Sequence, residues 1–369
     1  MASLLTVALV WKLTWGTQQS HSSSSGSSSD VGECPLTYRR LSVSEVRGGS
    51  PKPYLLGGPQ QPECTNCKRS GQWADICQFK SGDLCADWLF WSVLEEWLGR
   101  GYELALQLTP CDLWPLLRGR TLFLLGDSQM LDFYKALQCF LFEFWPSLEQ
   151  RDLTADAAAQ QQFSTVLRST CVDLLQGTRV CYIRADKGTD LLTRVLPLLA
   201  SLPGLAVPSR DLLVVNFGLH HDRSDYRQQL AAFAAYHASN AAALPRLLWQ
   251  PTPAQHFAGS DGSGEYPGGQ PPFQCEPLPG IHVEGEGRLA LPDGGRDRFG
   301  LLRGGWRNAA ADSVMRRAGI PILPSYNESV WMHAFHRDNG AGLECTHFCH
   351  PSTPQTWVLA LFKTLRDLP

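Results

Sequence analysis

The chain is predicted to fold as an α/β domain built on a doubly wound, mostly parallel sheet. Several short apolar runs have the length and composition of strands that are buried on both faces. They lie at residues 122–125, 180–183, 212–215, 247–249 and 320–323. Helix-like segments, such as residues 131–144 and 225–243, separate these runs. Sheets of this kind bind their ligands beyond the carboxyl ends of the strands.

Composition narrows the class of protein. The chain has 369 residues, of which 43% are hydrophobic, so it can bury the core of one large domain with an accessory lobe. Its formal net charge is −3, and no cluster of basic residues stands out. A nucleic-acid partner is therefore not expected.

The N-terminus has the pattern of a targeting segment. An apolar stretch at residues 4–11, followed by small residues, predicts a secretory signal peptide over residues 1–16. Lys12 interrupts the pattern and no basic residue precedes it, so a short membrane anchor is the second interpretation and an unstructured terminus the third. Residues 17–33 are rich in serine and are predicted to form a flexible stem. Any membrane association is expected only through this terminus.

The remainder divides into two predicted parts. Residues 34–118 form a Cys-rich N-terminal lobe, and residues 119–369 form the α/β domain. A stretch rich in Gly and Pro interrupts the second part at residues 259–305. A loop of that length is usually functional or disordered.

Cysteine usage indicates an oxidising compartment. The chain has 12 cysteines, an even number, which favours several disulfides in a secretory lumen. They are Cys34, Cys64, Cys67, Cys77, Cys85, Cys111, Cys139, Cys171, Cys181, Cys275, Cys345 and Cys349. One sequon, Asn327-Glu328-Ser329, is compatible with glycosylation. The predicted location is the Golgi lumen or the extracellular space.

A zinc site is the alternative use of some of these cysteines. Cys64 and Cys67 are two residues apart and could bind a tetrahedral metal together with Cys345, Cys349 or a nearby histidine, His347 or His350. The spacing lacks the paired knuckles of a known zinc module. The prediction is therefore that the chain has no metal site.

Ser128 is the candidate nucleophile. It follows the apolar run 122–125 in the sequence Gly126-Asp127-Ser128, so a sharp turn would place its hydroxyl at the start of a helix. The N–H groups and the dipole at a helix N-terminus favour the negative charge that develops when a hydroxyl attacks an ester carbonyl. We expect the N–H of Ser128 to be one oxyanion donor and Asp127 to be a candidate substrate contact. Alone, such a tripeptide is more often an ordinary turn.

Glu344 and His347 are the candidate acid and base. They stand three residues apart, which would let His347 face Ser128 while Glu344 reaches the other ring nitrogen. A nucleophile, a base and an orienting carboxylate are the three parts of a serine hydrolase triad. A lone histidine is usually only a surface or core residue, so the prediction depends on the combination.

A third element follows the run 212–215. The amide of Asn216 could donate to the same oxyanion, and Gly218, a candidate substrate contact, would permit close approach of the backbone. His220 is a candidate substrate contact, although both it and His221 could equally belong to a polar turn. Asn and Gly are common at the ends of strands, so this element means little without Ser128 and His347.

The order of these elements resembles the SGNH/GDSL hydrolase superfamily. More narrowly, the chain resembles the plant trichome birefringence-like polysaccharide O-acetyltransferases and the wider PC-esterase family. The resemblance covers roughly residues 64 to 367. Four segments carry it. They are Gly71-Gln72-Trp73-Ala74-Asp75 after Cys67, the approach to Ser128 through Cys111 and Arg118-Gly119-Arg120, Pro253-Ala254-Gln255-His256-Phe257, and Glu344-Cys345-Thr346-His347-Phe348-Cys349 with Pro351, Pro354 and Trp357.

Two departures from the family pattern are visible. Glu344 stands where the family has Asp, and Ser-His-Glu triads do occur in other hydrolase folds. The family's Arg-Asn-Gln after the nucleophile is replaced by Leu131-Asp132-Phe133. The family motif also makes His256 a candidate substrate contact.

The resemblance implies an O-acetyltransferase that acts by double displacement. Ser128 would carry the acyl group between a donor, such as acetyl-CoA, and a polysaccharide or oligosaccharide hydroxyl, with no tightly bound cofactor. A carbohydrate acetylesterase is the alternative if water takes the acyl group instead. A non-catalytic glycan-binding or wall-organising protein, with its 12 Trp residues as stacking platforms, is the alternative from a different class.

Overall fold

The structure is a computed structural model. It describes residues 34–48, 52–58, 77, 89–164, 168–202, 204–259, 261–285, 287–292, 295–338 and 341–368. Several sequence predictions lie outside these residues: the signal segment 1–16, the stem 17–33, the segment 71–75, and Cys64, Cys67 and Cys85. Within the described ranges, no helix is both long enough and apolar enough to cross a membrane.

A mixed α/β fold with a mostly parallel central sheet is observed, as predicted. In the described part of the chain, six strands form this sheet in the order β2-β3-β4-β1-β5-β6. The strands are β1 Thr121–Gly126, β2 Gln150–Arg151, β3 Ser169–Asp173, β4 Arg179–Arg184, β5 Leu212–Val215 and β6 Arg246–Trp249. β4, β1, β5 and β6 are parallel to one another. The short strands β2 and β3 add an antiparallel edge.

One predicted strand is wrong. Residues 320–323 contribute a single parallel bridge, between Ile322 and Trp249, instead of a strand. Pro321 accepts a hydrogen bond from the Trp249 N–H but has no N–H to donate. Proline therefore ends the ladder after one bridge.

Helices lie along the sheet and around it. They are α1 Val43–Arg47, α2 Leu89–Gly99, α3 Glu103–Gln107, α4 Pro110–Leu117, α5 Ser128–Phe140, α6 Ala157–Ser164, α7 Gly188–Asp190, α8 Leu196–Ser201, α9 Arg223–Asn240, α10 Gly305–Arg317, α11 Asn327–Val330 and α12 Thr353–Asp367. A π-helical turn at Leu191–Val195 joins α7 to α8. The prediction placed a helix start at residue 225, but α9 begins at Arg223 because the Asp222 carboxylate accepts from the N–H groups of Ser224 and Asp225.

β1 shows why the sheet is covered on both faces. Its side chains alternate, so that Leu122 and Leu124 belong to one apolar cluster and Phe123 and Leu125 to the other. Residues of α5 and α12 fill the first cluster, and residues of α9 and α10 fill the second. A strand that is apolar on both faces is the pattern from which the parallel sheet was predicted.

Of the predicted Cys-rich lobe 34–118, the structure describes residues 34–48, 52–58, 77 and 89–118. Cys34–Pro369 form one compact unit. Trp97 of α2 and Trp114 of α4 are wholly buried in the same cluster as Trp357 of α12. The described part of this segment therefore completes the core on one face of the sheet.

The Gly/Pro-rich stretch 259–305 contains some regular structure. A two-stranded antiparallel hairpin is formed by β7 His282–Glu284 and β8 Arg288–Ala290. A second small antiparallel pair, formed by β9 His336–Asp338 and β10 Leu343–Phe348, lies beyond it in the chain. β10 carries the predicted acid and base.

Disulfides stabilise the described fold, as the cysteine count predicted. The pairs are Cys34–Cys111, Cys77–Cys139, Cys171–Cys181 and Cys275–Cys345. Cys349 is also disulfide-bonded. Several disulfides are consistent with a protein of the secretory pathway or the extracellular space.

Candidate active site

The turn between β1 and α5 places Ser128 at the carboxyl edge of the sheet. β1 ends at Gly126 and α5 begins at Ser128. A Cβ atom on Gly126 would lie 2.2 Å from the carbonyl oxygen of Asn216, which is far closer than any real Cβ contact. Only glycine fits there, so Gly126 allows the chain to turn sharply from strand to helix. Ser128 itself is partly exposed.

Asp127 caps this helix. Its carboxylate accepts a hydrogen bond from the N–H of Gln129 at 3.0 Å, and the residue has no exposed surface. Burial raises the pKa of the Asp127 carboxyl above its ordinary value, while the bond from Gln129 opposes that rise. A direct substrate contact, as predicted for Asp127, is at odds with this burial. The side chain instead fixes the start of the helix that carries Ser128.

His347 joins Ser128 to Glu344. The Nε2 atom of His347 lies 2.5 Å from the Oγ atom of Ser128. The Nδ1 atom of His347 is hydrogen-bonded to the Glu344 carboxylate. The side chains of His347 and Glu344 are 14% and 18% exposed, so solvent has only limited access to them.

An irregular strand brings Glu344 and His347 together. In a regular strand, residues three apart point to opposite faces of the sheet. Between the pairs Leu343 with Asp338 and Phe348 with His336, the register of β10 against β9 shifts. Such an irregularity redirects side chains, and here it lets Glu344 and His347 point to the same side.

Two glutamines hold residues 344–347 against the sheet. The Gln129 side-chain amide donates to the Thr346 carbonyl at 2.7 Å, and the Gln255 amide donates to the Thr346 hydroxyl at 3.0 Å. Gln129 follows Ser128 directly in the chain. The residue after Ser128 therefore anchors the segment that carries His347.

Arg337 is a cation close to both Glu344 and Asp132. Its guanidinium lies 3.9 Å from the Glu344 carboxylate and 3.6 Å from that of Asp132. Burial opposes the ionisation of Glu344, but the bond to His347 and the charge of Arg337 hold the pKa of its carboxyl below the ordinary value. Burial also opposes the ionisation of Asp132, yet His350, His347 and Arg337 lower its pKa to about 2. Both carboxylates are therefore charged at neutral pH.

Asn216 lies at the end of β5, as predicted, but its amide hydrogens are both engaged. They are donated to the Gln250 carbonyl at 2.8 Å and to the Thr252 hydroxyl at 3.1 Å. The side chain thus ties the ends of β5 and β6 together. Donation from Asn216 to an oxyanion stays a prediction, and it would require one of these bonds to be exchanged.

Gly218 is packed against Thr252, and a substrate contact through Gly218 stays a prediction. A Cβ atom there would lie 2.0 Å from the Thr252 hydroxyl. Its N–H donates to the Asn216 side-chain oxygen at 3.2 Å, and its carbonyl accepts from the Arg307 guanidinium at 3.0 Å. Gly218 is buried, so its role here is to pack the loop after β5.

The two histidines after this glycine differ. His220 is exposed. A substrate contact through His220 stays a prediction. His221 is buried between the N–H of Gly188, at 3.0 Å from its Nε2 atom, and the Asp225 carboxylate. It links the loops after β4 and β5.

His256 is placed differently from its prediction. It has no exposed surface, which is at odds with a direct contact to substrate. Its two ring nitrogens lie 2.7 Å from Nε2 of His336 and 2.9 Å from the Val330 carbonyl oxygen. The zinc alternative is also at odds with the structure at Cys345 and Cys349, because both are in disulfides.

Compared with known proteins, the chain matches no protein-family model, and no curated protein matches it significantly. The resemblance to the trichome birefringence-like proteins therefore depends on the motif residues themselves.

Sequence reasoning missed the residues that support this group. These residues are Gln129, His336 and Arg337, and none of them belongs to the motifs from which the site was predicted. Their proximity depends on the packing of β9 and β10 against the edge of the sheet. Only Gln129, as the direct neighbour of Ser128, offered a signal in the sequence.

Proposed function

We propose that this protein is a carbohydrate O-acetyltransferase that acts through an acetylated Ser128. The observation that carries the proposal is the hydrogen-bonded chain from Ser128 through His347 to Glu344 at the carboxyl edge of the sheet. A hydroxyl, an imidazole and a carboxylate in this order are what covalent acyl transfer requires. The motif resemblance supports acetyl as the acyl group and a polysaccharide or oligosaccharide as the acceptor.

The first half-reaction acetylates the enzyme. His347 Nε2 takes the proton of the Ser128 hydroxyl as Oγ attacks the acetyl carbonyl carbon of the donor. The Ser128 N–H is at the first position of α5, where helix N–H groups have no partner within the helix, and it donates to the oxyanion. The tetrahedral intermediate collapses as His347 returns the proton to the leaving group.

The second half-reaction uses the same groups in reverse. His347 takes a proton from a sugar hydroxyl, whose oxygen attacks the acetyl carbon. The bond from Ser128 Oγ to that carbon breaks, and Oγ regains a proton from His347. Glu344 stabilises the imidazolium in both halves through its bond to Nδ1. The donor, with acetyl-CoA as a candidate, is a co-substrate, and no tightly bound cofactor takes part.

A carbohydrate acetylesterase is the second candidate. The partial exposure of Ser128, His347 and Glu344 favours it, since water that reaches an acetylated Ser128 would hydrolyse the ester. The disulfides support a location in the secretory lumen or outside the cell. We propose that the protein is located in the Golgi lumen or is secreted to the cell wall.

A labelled acetyl donor tests the proposal. Purified protein is incubated with the donor, first alone and then with a panel of oligosaccharides, and the Ser128→Ala variant serves as the matched control. The proposal predicts that acceptors move label from free acetate into sugar, because water and the hydroxyl compete for one intermediate. Rapid release of acetate from acetylated glycans, with no transfer to any acceptor, would favour the esterase. Glycan affinity without either activity would favour a binding protein.

A further inference from the structure

Two buried histidines, His336 and His256, lie between the main-chain carbonyl of His347 and that of Val330. The Nδ1 atom of His336 lies 2.8 Å from the His347 carbonyl oxygen. The Nε2 atom of His336 lies 2.7 Å from Nδ1 of His256, and Nε2 of His256 lies 2.9 Å from the Val330 carbonyl oxygen. His256 is wholly buried and His336 is 4% exposed. The three contacts therefore form one continuous chain between two carbonyl groups.

Two neutral histidine rings carry too few hydrogens for all three of these contacts. A carbonyl only accepts, so each end contact needs a hydrogen from a ring, and the contact between the rings needs a third. Two neutral imidazoles carry two hydrogens. Burial lowers the pKa of His256 to about 4 and that of His336 well below its ordinary value, so both rings are neutral at neutral pH. Two hydrogens then serve three contacts, and the tautomers decide whether the His347 carbonyl receives one.

Packing fixes both rings for this role. The His336 ring is stacked on Phe348, with ring centroids 4.2 Å apart. Phe348 is the direct neighbour of His347 in β10 and pairs with His336 across the two strands. The main chain of His256 donates to the Cys345 carbonyl at 3.2 Å. Both histidines thus contact the strand that carries His347.

We propose that His336 is a positioning residue for His347, and that His256 sets the tautomer of His336. In this arrangement His256 donates from Nδ1 to His336, and His336 donates from Nδ1 to the His347 carbonyl, so the contact between His256 Nε2 and the Val330 carbonyl is the one left without a hydrogen. That bond pairs the main-chain carbonyl of His347 itself and holds the imidazole at its distance from Ser128. The inference rests on the proposed function, because it concerns how the base is held.

Two amide variants of His336 separate positioning from mere packing. The amide nitrogen of Asn can take the place of Nδ1, whereas that of Gln takes the place of Nε2. His336→Asn therefore keeps the donor to the His347 carbonyl, and His336→Gln loses it while keeping a polar group of similar size. Because a displacement of about 1 Å costs roughly a hundredfold in rate, we expect His336→Gln to lower kcat about 10- to 100-fold with little change in KM, and His336→Asn to stay within about threefold of wild type.

The readouts are hydrolysis of p-nitrophenyl acetate and the rate at which a fluorophosphonate labels Ser128. His333→Asn is the matched control, since its ring lies near His256, with centroids 6.2 Å apart, in the turn before β9. It should leave both rates unchanged. Equal rates in His336→Gln and His336→Asn, with wild type active, would overturn the inference alone. A wild-type protein that neither hydrolyses nor becomes labelled would overturn the proposed function as well.

A measurement on unmodified residues covers the case in which a variant does not fold. Wild-type protein with ¹⁵N-labelled histidine is examined by NMR at neutral pH. The proposal requires a hydrogen on Nδ1 of His336 and none on its Nε2. A bare Nδ1 would contradict it whatever the kinetics of the variants.

Discussion

The Nε2 atom of His347 lies 2.5 Å from the Oγ atom of Ser128, although the two residues are 219 positions apart in the chain. Ser128 is held by a turn that only glycine permits, and His347 by an irregular strand at the far end of the sequence. Independent parts of the fold thus converge on one hydrogen bond. That bond is where the proposed chemistry begins.

Removing either partner of this bond should abolish turnover. Ser128→Ala and His347→Ala are each expected to lower kcat at least about a thousandfold, because each removes a step that water performs poorly. Since Ser128 is partly exposed, the loss of its hydroxyl should leave the melting temperature within a few degrees of wild type. Steady-state kinetics and calorimetry on purified variants measure both effects. A large fall in melting temperature with activity retained would assign the two side chains a structural role.

Two substitutions of Glu344 should distinguish the effect of its negative charge from the effect of its side-chain length. Glu344→Gln removes the negative charge opposite the imidazolium and should lower kcat by about 10²- to 10⁴-fold. Glu344→Asp keeps the charge but is one methylene shorter, so kcat should fall less, on the order of tenfold. The measurement is kcat for the three proteins at one pH. Equal activity in the Gln and Asp variants would contradict a role for the Glu344 charge.

The Cys275–Cys345 disulfide should matter more for rate than its contribution to stability suggests. Cys345 is next to Glu344 and two residues from His347, so the bond restrains the segment that presents both. The paired change to Ser should lower kcat as well as the melting temperature, while a chelator should have no effect.

The matched control is the disulfide Cys171–Cys181, which joins β3 to β4 away from β10. Removing it should cost roughly 2–4 kcal/mol in the free energy of unfolding but leave kcat close to wild type. A similar loss of kcat in both paired variants, or loss of activity on chelation, would refute the specific role of Cys275–Cys345.

Stability should fall as the medium becomes acidic, and His256 should contribute to the fall. Burial lowers its pKa from 6.5 to about 4 in the folded protein, so the unfolded chain binds more protons between these values. The stabilisation from the neutral ring is fully present above about pH 6.5 and is lost as the pH falls towards 4, by roughly 3 kcal/mol. Chemical denaturation at a series of pH values measures this slope.

The variant His256→Gln tests whether His256 causes this dependence of stability on pH, and His282→Gln is the control. Gln at 256 cannot titrate in this range, so the slope between pH 6.5 and 4 should become shallower. His282 is exposed on β7, and its replacement should leave the slope unchanged. An unchanged slope in His256→Gln would show that other groups govern the acid sensitivity.

Patterns that depend on neighbours in sequence were predicted well. Runs such as residues 122–125 and 212–215 are apolar on both faces, so the parallel strands followed from composition alone. The turn after Gly126 and the capping Asp127 are also local features. The pairing of Ser128 with His347 was predicted from the order of the motifs, although His347 lies on β10, outside the parallel sheet.

Features that depend on packing between distant segments were not predicted. The burial of His256 and the engagement of both Asn216 amide hydrogens arise from contacts with β9 and with the residues after β6. Nothing in the sequence distinguishes a buried polar side chain that is satisfied internally from one that awaits a ligand. Pro321 did carry a local signal, because a residue without an N–H interrupts a strand.

Trapping the intermediate tests the central claim most directly. Protein is incubated briefly with an acetyl donor, quenched in acid and digested, and the peptide that contains Ser128 is examined by mass spectrometry. The double-displacement account predicts an acetyl group on Ser128 in wild type, its loss when a sugar acceptor is added, and its absence in Ser128→Ala. A wild-type protein that turns over the donor while Ser128 stays unmodified under conditions that trap acyl-enzymes, or a Ser128→Ala variant that turns it over equally fast, would contradict the account.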